Sequence, residues 1–333
     1  MGRIAICVAL ATAVCVGAAA AQPRESDERS LRLGGTPLAL IAAKGSLWAL
    51  TCEQRCSGEA RRSAGRIIRI DPRTARIKTA APIDRPGAIA VAADGVFATD
   101  FWRDSVRRLN PMTLRETSRL KLVLPAEIRP RGGTFLPNDL ALGGGAVWVS
   151  TEWCALARVD RRLRRVDALV RLPCDAYQAM VVGGGAVWIS ESLAGLYRID
   201  ASSHRVVARI RIGAPARRLI PTRVFFSHDG VLATGPWTQG NSLTSRNAFA
   251  RINPSRNRAA MIRPLPDGPL AVAFGEGSLW VGRIEGSSVE RIDPTTGRLL
   301  GRLSVPVGVA LAVSGHKLWT ATRAGTLRQL AVL

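Results

Sequence analysis

The sequence predicts an all-β fold: a seven-bladed β-propeller of four-stranded antiparallel blades, its ring closed by an N-terminal strand. Three observations predict it. The first is an apolar strand, a short Gly-rich turn and an aromatic or apolar residue, recurring seven times: Leu38–Trp48 (LALIAAKGSLW), Ala88–Phe97, Asp139–Trp148, Gln178–Trp188, Arg223–Leu232, Leu270–Trp280 and Val309–Trp319. The second is an Arg-apolar-Asp/Asn phrase: Arg69-Ile70-Asp71, Arg108-Leu109-Asn110, Arg158-Val159-Asp160, Arg198-Ile199-Asp200, Arg251-Ile252-Asn253 and Arg291-Ile292-Asp293, with a decayed copy at Gln329-Leu330-Ala331. Short strands repeating about every 40 to 50 residues spell radially arranged blades, each unable to bury its faces without its neighbours. The third observation is that the last repeat stops after its third strand, while Ser30–Leu33 stands ready at the other end of the chain to pair with Thr326–Leu333. Six or eight blades would strand half a repeat and leave an open edge.

Within each repeat the strands are called a to d from the axis outward. Strand a is the apolar run that follows punctuation such as Pro37, Pro137, Pro221 or Pro269, and strand b carries the aromatic. Strand c ends at the Arg-apolar-Asp phrase, whose Asp or Asn side chain accepts a backbone N–H two residues on, with Pro72, Pro111, Pro254 or Pro294 presetting φ. Strand d follows, as in Val206–Ile212. The recurring arginines are read as structural, their stems covering apolar surface while the guanidinium stays wet.

Residues 1–21 stand apart. A basic start at Arg3, an apolar run from Ile4 to Val16 and Ala19-Ala20-Ala21 before Gln22 read as a secretory signal peptide. Residues 22–29 are a short linker and residues 30–333 the propeller. Export makes the compartment oxidising, so Cys52, Cys56, Cys154 and Cys174 are expected as two disulfides, with local pairing (Cys52 to Cys56, Cys154 to Cys174) preferred among three connectivities. The formal net charge is +22. Arginines spread over every repeat in an exported chain argue against nucleic acid and for, at most, affinity for an anionic envelope polymer or lipid surface.

In a blade the d–a and b–c connections share one face, and here they carry the long insertions: Thr51–Ser63, Pro125–Pro137, Arg217–Thr222 and Gly235–Asn247. Elaboration of one face marks a binding face. Trp48, Trp148, Trp188, Trp280 and Trp319 hold the repeat position and are read as core. Trp102, Trp153 and Trp237 fall in b–c loops of the elaborated face, with Tyr177 on a d–a loop nearby, and are expected to approach the pore as stacking surfaces. Asp100, Glu152 and Glu191 follow strand b in three consecutive blades, whereas Arg283 and Arg323 stand there in the sixth and seventh. That pattern predicts a mouth acidic on one side and basic on the other. The sequence calls for no cofactor, except that Asn138 and Asp139 could add oxygen ligands for a divalent cation, Ca²⁺ or Mg²⁺.

The phrases GEGSLWV, RIDPTTGRLLGRL and GGGAVWVSTEW resemble the repeats of bacterial YVTN/NHL-type seven-bladed propellers, closest in look to the virginiamycin B lyase-like group. The resemblance covers about residues 30–333 and rests on residues that build blades. It implies a catalytic His and Glu beside Mg²⁺ on the elaborated face, and Pro137-Asn138-Asp139 is similar to a metal-binding loop of lactonase-type propellers. His204, His228 and His316 all fall in a–b or c–d turns, on the opposite face, so the general base of that group has no counterpart. The expectation is an exported, monomeric binding module for a small molecule, glycan or protein. Its rivals are a metal-dependent lyase or lactonase using Asp100, Asn138, Asp139, Glu152 and Glu191, and a structural envelope protein that adheres to anionic polymers.

Overall fold

In the computed structural model the described residues are 29–53, 64–123, 125, 137–151, 155–172, 179–191, 195–240, 242–268 and 270–331, with Trp102, Glu191 and Ala331 described by backbone alone. They form seven four-stranded antiparallel sheets and one two-stranded hairpin. Strands a to d are Thr36–Ala43, Ser46–Cys52, Ala64–Asp71 and Arg76–Asp84 in blade one, and Pro86–Ala92, Gly95–Asp100, Ser105–Leu109 and Glu116–Lys121 in blade two. Blade three is Pro137–Gly143, Ala146–Thr151, Ala155–Asp160 and Val166–Arg171. Blade four is Met180–Gly183, Ala186–Glu191, Gly195–Asp200 and Val206–Arg211. Blade five is Arg223–Ser227, Gly230–Gln239, Ser242–Asn253 and Arg258–Leu265. Blade six is Leu270–Gly275, Ser278–Arg283, Val289–Ile292 and Leu299–Leu303. Blade seven takes three strands from the C-terminus (Ala310–Ser314, Lys317–Ala321, Thr326–Ala331) and its strand d from Ser30–Arg32.

The closing strand pairs in the expected place, Ser30 opposite Arg328, Leu31 opposite Leu327 and Arg32 opposite Thr326. Two further backbone bonds extend the seam: Leu33 N–H donates to Gly325 O at 2.8 Å, and Gln329 N–H to Arg29 O at 3.0 Å. Leu33 is fully buried in a cluster that joins blade one (Leu40, Leu47, Ile68) to blade seven (Trp319, Leu327).

The five repeat tryptophans are all buried. Three of them donate the indole N–H to the carbonyl five residues back, at the end of strand a: Trp48 to Ala43, Trp188 to Gly183 and Trp280 to Gly275, at 3.1, 3.2 and 3.4 Å. Register places the arginine of each phrase directly opposite the strand-b aromatic, or Leu232 in blade five, as in Trp48 with Arg69, Phe97 with Arg108, Trp188 with Arg198 and Trp280 with Arg291. Those guanidinium carbons stand 5.3 to 5.9 Å from the ring centroids, within cation–π range. Arg69 and Arg198 also reach the next blade, bonding Pro111 O at 3.2 Å and Pro254 O at 2.7 Å. Arg69 and Arg198 are therefore staples between blades, which is more than cover for apolar surface.

Each Asp or Asn of the phrase caps its c–d turn as expected: Asp71, Asn110, Asp160, Asp200, Asn253 and Asp293 all accept the N–H two residues on, at 2.7 to 3.1 Å. Donation from Arg73 holds Asp71 below the ordinary carboxylate range; Ser203 does the same for Asp200 and Thr295 for Asp293. At Asp160 desolvation pushes the carboxyl up, but the N–H groups of Arg165, Arg164 and Arg162 outweigh it. A carboxyl depressed in the folded state stabilises above its unfolded value and loses that contribution as pH falls through the folded one. The share of stability these turn carboxylates supply is therefore expected to hold steady from neutrality to about pH 4, the ordinary carboxylate value, and then to drop. Asp200→Asn, which keeps the turn as Asn110 and Asn253 do, should flatten that drop at little cost at pH 7. An unchanged acid limb of the urea midpoint in Asp200→Asn would show that the turn carboxylates do not set it.

Candidate functional site

The seven innermost strands enclose an axial cavity of about 380 Å³. Its lining comes mostly from the opening residues of strand a, so it lies toward the face of the d–a connections. That end is irregular in backbone: the a–b register shifts just after Pro37, Pro86 and Pro137. In four blades a hydroxyl from strand b accepts an amide at this end. Thr99 Oγ1 takes Ala88 N–H at 2.7 Å, Ser150 Oγ takes Asp139 N–H at 3.1 Å, Ser190 Oγ takes Ala179 N–H at 2.8 Å and Thr320 Oγ1 takes Gly308 N–H at 2.8 Å. Sequence reading missed this recurring hydroxyl, which is legible as a Ser or Thr one or two residues after the aromatic. At the narrow end the strands press together: a Cβ on Gly183 would lie 2.2 Å from the Phe226 ring of the next blade.

Most lining side chains are apolar, but backbone groups at the strand ends together with Asn138, Asp139 and Arg223 make the exposed wall more polar than apolar. Asp139 Oδ1 accepts Leu140 N–H at 2.8 Å, and Oδ2 accepts Met180 N–H of the next blade at 2.9 Å. Asp139 is half-buried at the cavity wall. Desolvation raises its carboxyl to about 6, against those two amides and the charge of Arg223. Arg223, at the start of strand a in blade five, is exposed, and its Nη1 donates to Thr222 O at 2.8 Å. Among the described residues it pairs with no carboxylate, Asp139 included.

Arg223 and Val272 also line a second cavity of about 460 Å³ between blades five and six. One wall is the b–c hairpin of blade five. The insertion expected there as a loop, Gly235–Asn247, instead continues the two strands, as Pro236 opposite Asn247 and Gln239 opposite Ser242. Asn247 Nδ2 ties this hairpin to the connection into blade six through Ser245, Pro266 and Gly268 carbonyls at 3.3, 3.0 and 2.6 Å. Thr234, 1% exposed, lines the groove with a hydroxyl that meets no partner among the described residues.

The other residues expected at the mouth are placed differently. Trp237 is 9% exposed and packs with Ile212 and Leu219, bridged to Leu219 in backbone and capped by Arg217 at 4.9 Å; the small hairpin Gly213–Ala214 with Arg217–Arg218 covers it. It is a packing residue, and not an open stacking surface, because the continued hairpin folds its ring inward. Asp100 is fully buried beside the turn Phe101–Arg103, and neither oxygen has a well-formed hydrogen bond among the described residues. Burial raises its carboxyl, only partly offset by Arg103 at 3.8 Å, and it lines neither cavity. Arg283 is exposed beside a separate hollow of about 250 Å³ with Asp267 and Glu290, and Arg323 meets Glu285 at 3.4 Å. Asp100 is therefore no part of an open mouth, whereas Arg283 and Arg323 are exposed but line neither the axial cavity nor the groove. Trp153, Tyr177, Glu152, Cys56, Cys154 and Cys174 lie outside the described residues, as do the side chains of Trp102 and Glu191. Cys52 is buried and disulfide-bonded, its partner outside the described residues.

The divalent cation implied by the lyase resemblance does not fit the described donors. No three His, Cys, Asp or Glu side chains among the described residues converge as a cation site would require. Asp139 spends one lone pair of each oxygen on a backbone amide. His204, His228 and His316 lie in c–d or a–b turns, at the opposite end of the strands.

Comparison with known proteins bears on the fold. BamB from Moraxella catarrhalis superposes with a TM-score of 0.56 at 12% identity, over 90% of this chain and 85% of that one. The computationally designed Ika8 protein superposes with a TM-score of 0.59 at 11% identity, over 90% and 98%. The chain is a seven-bladed β-propeller. No protein-family model and no curated protein matches its sequence.

Proposed function

We propose that this propeller is an exported binding module that seats a small molecule at the axial cavity and the groove beside it, on the face of the d–a and b–c connections. The observation that carries this reading is Arg223: an exposed guanidinium with no carboxylate partner among the described residues, on a strand of otherwise apolar and hydroxyl residues, shared by two adjoining cavities. Concave sites of about 300–1,000 Å³ with apolar walls and few polar groups are the usual form of a small-molecule site. Export is supported by the signal-like residues 1–21 and by a disulfide at Cys52. Local pairing of Cys52 with Cys56, and of Cys154 with Cys174, remains the proposed connectivity. A lyase or lactonase would need a convergent metal and base, and the described residues offer neither together.

The test is a thermal-shift screen of free amino acids, organic acids and mono- and disaccharides on the full chain and on Arg223→Ala. At least one compound is expected to raise the wild-type midpoint, and to do so at least tenfold less potently in Arg223→Ala, since removing a charge-assisted contact costs about 1.5–3 kcal/mol. A compound that binds both proteins equally, or a screen with no binder, would overturn the site.

A further inference from the structure

Resting on that reading, we propose that the axial cavity is built for a zwitterion: an α-amino acid with an apolar side chain, its carboxylate on Arg223 and its ammonium on Asp139. The two side chains of opposite sign line one cavity and are near enough for Arg223 to influence the Asp139 carboxyl, yet they form neither a hydrogen bond nor an ion pair with each other. Charges left apart in a partly desolvated space attract a ligand that carries the complementary pair more strongly than one carrying either charge alone.

Each partner is held by other means, so the separation belongs to the fold. Asp139 is pinned by Leu140 and Met180 amides from two blades, leaving each oxygen a second lone pair. Arg223 is fixed at one nitrogen by Thr222 O, and its remaining N–H donors can fork onto a carboxylate. Part of the wall suits the side chain: Leu38, Ile41, Phe225, Val272 and Val309, from four blades, are the larger apolar lining residues that stay half-buried. A sugar would find few hydroxyl partners in this cavity. The hydroxyl-lined groove past Arg223, with Thr234 and Ser245, is where such a ligand would sit instead.

The experiment is isothermal titration of the full chain with three probes that share one apolar group: phenylalanine, phenethylamine (ammonium only) and 3-phenylpropanoate (carboxylate only). Phenylalanine is expected to bind, with each half-charged analogue at least tenfold weaker. Arg223→Gln, an exposed change that leaves packing alone, should weaken phenylalanine and 3-phenylpropanoate at least tenfold while leaving phenethylamine unchanged. Asp139→Asn should do the reverse. Because Asp139 also ties two blades, its urea midpoint is measured alongside, and Arg223→Gln decides the question if Asp139→Asn fails to fold. Equal binding of phenylalanine and 3-phenylpropanoate overturns the zwitterion while leaving an anion site at Arg223. A saccharide whose binding depends on Arg223, with no response to phenylalanine, overturns the zwitterion but keeps the binding module. No Arg223-dependent binding by any probe overturns both.

Discussion

Removing the closing strand is expected to unfold the ring. A chain lacking Ser30–Arg32 leaves strand c of blade seven, Thr326–Ala331, as an unpaired edge next to blade one. Such an edge loses its ladder of hydrogen bonds and exposes a template for association. The packing loss is larger. Leu33 follows the strand into a fully buried position between blades one and seven, so Leu33→Ala alone should lower stability by about 2–5 kcal/mol, as buried Leu truncations do. The seam also depends on glycine. Gly325 sits at φ +76°, and a Cβ there would lie 2.3 Å from Gly35 O, so Gly325→Ala should weaken closure without touching the core. Urea denaturation of these three variants, followed by tryptophan fluorescence, gives the order: deletion below Leu33→Ala, and both below wild type. A deletion variant with a wild-type midpoint would show that the ring is held by blade packing alone.

Much of this was legible in the chain because a propeller writes its blade-building residues repeatedly. A Trp that recurs on the same strand, an Arg opposite it and an Asx turn after it are constrained in every blade by the same neighbours. Their roles therefore follow from the period alone. Closure was legible by counting strands. The site was less so, because a site departs from the repeat and each departure occurs once. Trp237 and Arg223 are equally irregular in sequence. The hairpin of blade five folds the first inward against Leu219, whereas the opening position of strand a places the second on the cavity. Asp100 follows the repeat aromatic by three residues and looks like a mouth residue, but it is fully buried beside the turn Phe101–Arg103. What decides these cases is the path of a connection after the strand ends, and that depends on pairing across the sheet that no local pattern encodes. Asn138 and Asp139 were singled out for metal. The structure keeps them at the cavity and gives Asp139 a task the sequence could not show, joining blade three to blade four.

Trp188→Ala is expected to cost about 3–5 kcal/mol, the range for truncating a buried aromatic, and to do so by uncoupling two blades. Trp188 is fully buried, donates to Gly183 O and lies 5.3 Å below the Arg198 guanidinium. Arg198 in turn donates to Pro254 O at 2.7 Å and Asn257 Oδ1 at 2.9 Å in blade five. The ring therefore fixes the arginine, and the arginine fixes the neighbouring blade. Without the indole, Arg198 gains rotamer freedom and its bonds to the c–d turn of blade five weaken. Arg198→Ala should be the milder change, and the double variant should fall short of the sum by about 0.5–3 kcal/mol, the coupling expected of residues acting through one another. Trp280→Ala supplies the contrast, since it packs in a separate cluster between blades six and seven, and it should leave the Trp188–Arg198 coupling unchanged. Strict additivity between Trp188→Ala and Arg198→Ala in urea denaturation would reduce the arginine to a surface residue, and the recurring Arg-apolar-Asp phrase would then be a turn signal alone.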